Sequence, residues 1–367
     1  MDPEVSTWQE RIEPRKARQF ATGVLFGIQA IFVWLYLSEI VVVGAVLLSA
    51  WVAYDYVQFY TKEVVSSSGK FVLVTGCDSG FGLSAAKAFR DLGFGVFAGC
   101  FNENSNGAKE LRAGKKVEIL QLDVTDDVSV GECAERIRAV CGEQGLWAVV
   151  NNSGINNQGY VELCSMQAYH RTAEVNLFGA IRVTKAVLPL IRRAKGRVVN
   201  CTSERGFNPY PQNSSYCISK FGLEAFSICL RKEMERFGVK VVTVAPGNFS
   251  GASSITNAQA NANLRELILN ERSMLRQEDQ EAYPVIEIDE LLDAVVEDIP
   301  RSCSSALPVV AAYVDAVNNV SPKRCYMVQG MGRQWGDPTI IMGRVRPFMP
   351  ERIMPYAEKI IRYVFNR

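Results

Sequence analysis

The stretch Lys70-Phe-Val-Leu-Val-Thr75-Gly76-Cys-Asp78-Ser79-Gly80-Phe81-Gly82 constrains this chain more than any other. A short apolar run feeds three glycines and then a helical pattern from Leu83 to Leu92, which reads as strand, tight turn and helix. Glycines at 76, 80 and 82 let backbone come close to a pyrophosphate, and the N–H groups opening the helix face its negative charge. The spacing is G-x-x-x-G-x-G, not the commoner dinucleotide pattern G-x-G-x-x-G. Further apolar runs fall near 95–99, 117–122, 146–151, 197–202, 239–245 and 324–328, with helical patterns between most of them. Alternation of this kind predicts a parallel sheet covered on both faces, with ligands bound outside the carboxyl ends of the strands.

Tyr216 and Lys220 stand four apart in a helical pattern over 214–237, so a phenol and an amine share one helix face. A phenol ionises near pH ~10 unaided, and a fixed cation beside it lowers that value. The spacing therefore predicts an acid/base pair in which Lys220 depresses the Tyr216 pKa. A solvated helix pair is the plainer reading of the same spacing. Asp123, the segment Asn151-Asn152-Ser153-Gly154, Asn176, Ser203 and Pro246-Gly247 each sit at or just past a predicted strand or in a helix leading to the same cleft.

In this order, from about Lys70 to Arg324, these motifs resemble the short-chain dehydrogenase/reductase family. Thr75 to Gly82 matches the family's T-G-x-x-x-G-x-G, and Asn151 to Gly154 matches N-N-A-G with Ser153 in place of alanine. The resemblance implies a Rossmann-like doubly wound parallel sheet and a catalytic tetrad of Asn176, Ser203, Tyr216 and Lys220. Ser203 would hydrogen-bond the substrate oxygen and Tyr216 would exchange a proton with it. Lys220 would also hold the nicotinamide ribose, and Asn176 a water. Cofactor contacts would come from Thr75, Gly76, Ser79, Gly80, Phe81, Gly82, Asp123, Val124, Asn152, Ser153, Gly154, Tyr216, Lys220, Pro246 and Gly247. Within the family, the likeness is to membrane-bound β-hydroxybutyrate dehydrogenases, retinol dehydrogenases and an oxidative hydroxysteroid dehydrogenase, the first above all. Charged Glu204 and Arg205 follow the serine where that subgroup usually has uncharged residues.

NAD is expected over NADP. The second strand ends at Gly99-Cys100-Phe101-Asn102 with no basic residue to receive a 2′-phosphate, and Asp78 adds negative charge in the turn. The expected substrate is a small secondary alcohol or ketone, with a hydroxy acid like β-hydroxybutyrate first and Arg205 as its carboxylate partner. Retinol or a hydroxysteroid is the lipid alternative, and a cofactor-binding scaffold without turnover is the non-enzymatic one.

Residues 20–37 carry no charge and 40–54 are again uncharged, with Glu39 between them. A bilayer suits such runs, and the carboxylate favours a transmembrane helical hairpin turning at Ser38 and Glu39, with one crossing as the alternative. Arg11, Arg15, Lys16 and Arg18 precede the first run and place the N-terminus in the cytoplasm. The expectation is a membrane protein, in the endoplasmic reticulum with a cytosol-facing domain or else in a mitochondrial membrane. Boundaries follow: a tail over 1–19, an anchor over 20–60, a flexible linker over 61–69, the dinucleotide domain over 70–330, and an extension over 331–367. Apolar residues from Ile353 to Phe365 recur there at helical spacing, as in a helix lying on the domain or the membrane surface.

A net charge of +1 among 367 residues gives no electrostatic case for nucleic acid. Ten scattered cysteines without C-x-x-C spacing read as reduced core residues, and His170, the only histidine, rules out a histidine-cluster metal site. No metal is expected; a homo-oligomer is compatible with the sequence.

Overall fold

A computed structural model describes residues 63–253, 255, 258–298 and 302–330 and, outside them, Gly27, Glu39, residues 41–47 and 49–50, Ile340, Met342, Gly343, Ile353 and Tyr356. The chain divides into two compact units, residues 1–63 and 64–367. In the first, residues 41–47 are helical, and Val41, Val42, Val43, Val46 and Leu47 expose more than half of their surface. Among the described residues no helix is long and apolar enough to cross a membrane. The hairpin expected over 20–60 and the terminal helix expected over 353–365 lie largely outside the described residues.

The second unit alternates strands and helices: β1 (Phe71–Thr75), α1 (Gly80–Asp91), β2 (Gly95–Cys100), α2 (Asn106–Arg112), β3 (Val117–Gln121), α3 (Asp127–Cys141) and β4 (Ala148–Asn151). Next come α4 (Met166–Ala173), α5 (Gly179–Ala194), β5 (Arg197–Cys201), α6 (Ser214–Met234) and β6 (Lys240–Pro246). The chain continues through α7 (Ala258–Ser273), α8 (Gln277–Glu281), α9 (Val285–Asp298), α10 (Leu307–Asn318) and β7 (Cys325–Val328). The strands form one seven-stranded sheet in the order β3-β2-β1-β4-β5-β6-β7, with every neighbouring pair parallel. Strand order reverses between β1 and β4, and a crevice opens at such a switch point beyond the strand ends.

The central strands are apolar runs because both faces are covered. Val72, Val74, Val199 and Val244 pack with Phe89, Phe94 and Tyr313 on one face, and Leu73, Phe97, Val149 and Val198 with Ile137, Leu190 and Ile191 on the other. One buried polar chain crosses this second side. The Asn151 amide donates to Thr184 Oγ1 and Asn200 Oδ1, both at 2.8 Å, and Asn200 donates to Ser227 Oγ at 2.8 Å. These bonds lock α6 against the ends of β4 and β5, which fixes the height of Tyr216 and Lys220.

The helical stretch that carries Asn176 begins at Met166, capped by Ser165 Oγ accepting from the Ala168 N–H at 3.2 Å. It passes through one π-helical segment, Glu174–Phe178, before α5. Wide turns of this kind recur where a helix serves a site, and this one carries Asn176. The linker expected over 61–69 is tied down over its second half. Val64 pairs with Asn319, the Val65 N–H donates to the Asn318 carbonyl at 2.7 Å, and Ser67 Oγ donates to the Leu92 carbonyl at 2.7 Å. Helices α7 to α9 form a cap with a small core of Leu264, Ile268, Ile288 and Leu292 closing on Leu163.

Candidate active site

The turn after β1 is built by its glycines. Gly76 and Gly80 sit at φ +71° and +57°, the left-handed region that side chains disfavour. A Cβ at Gly82 would lie 2.1 Å from the Gly76 carbonyl oxygen, so any other residue there would force the turn off α1. Thr75 Oγ1 accepts from the N–H groups of Asn152 and Ser153, each at 3.0 Å, which ties the end of β4 to the end of β1. The Asn152 amide donates to the Thr75 carbonyl at 2.9 Å. Ser153 Oγ would stand 3.1 Å from a Cβ at Gly76, so the serine found in place of alanine lies directly over the turn.

A cleft of about 1310 Å³ runs from this turn to α6. It exceeds the ~300–1,000 Å³ usual for a single small ligand, which leaves room for a dinucleotide and a substrate together. Gly76, Ser79, Gly80, Phe81, Asp123, Val124, Asn152, Ser153, Gly154, Ser203, Arg205, Tyr216, Lys220, Pro246 and Gly247 all line it. The structure thus brings together nearly every residue that the sequence singles out. Thr75, Gly82 and Asn176 stand behind the wall and do not line it. Asn176 is buried, donates to the Ile155 carbonyl at 2.9 Å and Ser219 Oγ at 3.0 Å, and accepts from the Ile155 N–H at 2.8 Å. Both of its amide hydrogens are committed to protein, so only Oδ1 has capacity left for a water.

At one end of the cleft the Asp78 carboxylate accepts from the N–H groups of Phe101 and Asn102, each at 2.9 Å. The charge that the sequence places in the turn is therefore delivered to the end of β2. Asp123 is fixed nearby, its Oδ1 accepting from the Thr125 N–H at 2.9 Å and hydroxyl at 2.7 Å.

At the other end, Tyr216 and Lys220 project from the same face of α6. The lysine Nζ donates to the Cys201 carbonyl at 2.8 Å and lies 5.5 Å from the centroid of the Tyr216 ring. Burial lowers the Lys220 pKa, with Cys201 and Glu224 acting in the opposite direction. The expected depression of the Tyr216 pKa is not what the structure gives. Burial raises it above the ordinary phenol range, the Cys201 thiol and Glu204 add to the rise, and a hydrogen bond from Ser203 and the charge of Arg205 oppose it. Spacing put the two groups on one face, but the ammonium turns to a strand carbonyl and leaves burial dominant.

Arg205 reaches the same end. Its Nε pairs with Glu204 Oε1 at 3.0 Å and its guanidinium stacks on Tyr210 at 4.4 Å. Its Nη1 has no hydrogen-bond partner, and neither do Asn156 Oδ1, Gln158 Oε1 or Asn213 Oδ1, all on residues lining this cleft. Asn156, Gln158, Tyr210 and Asn213 escaped the sequence reading, because they come from irregular loops whose convergence no local pattern encodes.

The family model described as short chain dehydrogenase matches residues 70–262. D-beta-hydroxybutyrate dehydrogenase, mitochondrial, from Rattus norvegicus is 50% identical over 202 residues, 53% of this chain and 59% of its own length. The match thus spans less than two thirds of that relative. The 17-beta-hydroxysteroid dehydrogenase type 6 of Bos taurus is 37% identical over 298 residues, 80% of this chain and 88% of its own. A solved alcohol dehydrogenase from Thermococcus sibiricus, complexed with 5-hydroxy-NADP, is 27% identical over 49% of this chain and 77% of its own, with a TM-score of 0.45. On the family match and the long alignment to the bovine relative, the chain belongs to the short-chain dehydrogenase family.

Proposed function

We propose that this protein is an NAD-dependent oxidoreductase that interconverts a secondary alcohol and its ketone, with a small hydroxy acid as substrate. The observation that carries the reading is one cleft shared by the glycine turn and the Ser203, Tyr216 and Lys220 side chains. The turn residues 76–82, with Thr75, Asn152, Ser153 and Gly154 behind or beside them, would hold the dinucleotide; Asp123 and Val124 would flank it, and Pro246 and Gly247 would support its far end. NAD, when bound, supplies the hydride acceptor.

The remaining work falls to this chain. Ser203 Oγ would donate to the substrate oxygen, and Tyr216 Oη would take its proton in oxidation or return one in reduction. Lys220, held by the Cys201 carbonyl, would orient cofactor and phenol, and Asn176 would fix the loop at Ile155 that forms one wall of the cleft. The choice of NAD rests on Asp78. Its carboxylate at the end of β2 would repel a 2′-phosphate and could accept from a free ribose hydroxyl.

The hydroxy acid is favoured by Arg205, whose guanidinium, paired with Glu204 and stacked on Tyr210, belongs to a residue lining the cleft and would receive a carboxylate. A hydroxysteroid is the second reading. It is supported by the long alignment to the bovine relative and by Phe81, Phe249, Ile255 and Leu291 in the same cleft.

A membrane location completes the proposal. The uncharged runs 20–37 and 40–54, together with the exposed valines at 41–43, support an anchor that keeps the enzyme on the cytosolic side of the endoplasmic reticulum. The test is a panel of hydroxy acids, sterols and retinol offered to the full-length protein with NAD, following reduced nicotinamide by absorbance. Turnover of a short hydroxy acid is expected; turnover of sterols alone would select the second reading, and none with any alcohol would reject both.

A further inference from the structure

We propose that Tyr313 on α10 is a positioning residue for the dinucleotide cradle, an inference that rests on the cofactor reading above. Its ring is fully buried among the apolar side chains between α1 and the sheet. A hydroxyl in such a core costs free energy unless it is bonded. Here it donates to Asn152 Oδ1 at 3.1 Å. Burial also raises the Tyr313 pKa well above that of an ordinary phenol, so the group stays a donor.

The consequence runs through an amide. With Oδ1 committed to Tyr313, Asn152 must turn Nδ2 toward the carbonyl oxygens of Thr75 and Gly76, at 2.9 and 3.4 Å. The reverse orientation would set Oδ1 against both carbonyl oxygens and turn Nδ2 to the Tyr313 hydroxyl. The two carbonyl oxygens select this orientation, and Tyr313 holds the amide in it by engaging Oδ1, so that Asn152 stays in place to pin the glycine turn. The same phenol interacts with the Cys201 side chain, on the residue whose carbonyl receives Lys220. One side chain thus reaches, through Asn152, the turn that would take a pyrophosphate and also meets Cys201 at the strand end that holds the lysine. It arrives from a helix beyond residue 262, outside the family match and after the cap.

The experiment titrates the full-length protein with NAD by calorimetry and records the melting temperature of each variant without NAD. Tyr313→Phe keeps the ring and removes the hydroxyl, and should weaken NAD binding roughly three- to tenfold. Adding it to Asn152→Ser should cost less than about a further twofold, because the shared bond is already gone. Unchanged NAD affinity in Tyr313→Phe, even with a lowered melting temperature, would overturn the proposal and leave a packing role only. Should Tyr313→Phe fail to fold, Asn152→Ser tests the bond from its other end, and wild-type affinity there would overturn it equally. A wild-type protein that binds no NAD would instead reject the dinucleotide reading itself.

Discussion

The Lys220 ammonium lies 5.5 Å from the centroid of the Tyr216 ring and gives a hydrogen bond to the Cys201 carbonyl, 2.8 Å away. The pair is adjacent, and burial is the largest influence on the phenol: burial, Cys201 and Glu204 raise its pKa, and Ser203 and Arg205 restrain the rise.

A pH dependence follows from that sign. At neutral pH the proton stays on Tyr216, the form ready to serve as acid in ketone reduction. Alcohol oxidation needs the phenolate, whose fraction grows about tenfold per pH unit below the phenol pKa. Initial-rate kcat/KM for oxidation should therefore climb without a plateau between about pH 7 and 9, while that for reduction stays nearly flat. A plateau in the oxidation profile below about pH 8 would show a phenol already ionised, contrary to dominance by burial.

Asp78 should govern cofactor choice. Asp78→Asn removes the charge at the end of β2 and retains an acceptor for one of the two N–H groups it now serves. The ratio of kcat/KM for NAD to that for NADP should fall about tenfold or more. A ratio within twofold of wild type would place the discrimination elsewhere.

Arg205 should distinguish substrate classes. Loss of a charge-assisted bond to a carboxylate corresponds to about 1.5–3 kcal/mol, so Arg205→Met should raise KM for a hydroxy acid about ten- to a hundredfold. The same change should leave KM for an uncharged alcohol within about threefold. Because the variant also strips Glu204 of an ion pair, the double variant with Glu204→Gln serves as control and should show the same selectivity. An equal effect on both substrate classes would assign Arg205 to folding rather than recognition.

The sheet was legible because its central strands β1, β4, β5 and β6, buried on both faces, are short valine-rich runs set off by glycine, asparagine or proline. The site was legible where residues act at fixed local spacing, as in Thr75 to Gly82 and Tyr216 to Lys220. What escaped depends on distance in the fold. The cap helices α7 to α9 carry no local motif, since Leu264, Ile268, Ile288 and Leu292 find their core through Leu163, about a hundred residues upstream. The Tyr216 pKa went astray for the same reason: helical spacing names a neighbour but carries no information about burial or about a carbonyl on another strand.

Tyr216→Phe tests the central claim most directly, because it removes one oxygen and keeps the ring. Full-length wild type and variant would be mixed with NAD and the best alcohol of the panel, with reduced nicotinamide followed by absorbance and NAD affinity measured in parallel. Turnover is expected to fall about a thousandfold while NAD affinity stays within about threefold of wild type. Turnover within tenfold of wild type, with cofactor still bound, would contradict the assignment of proton transfer to this phenol.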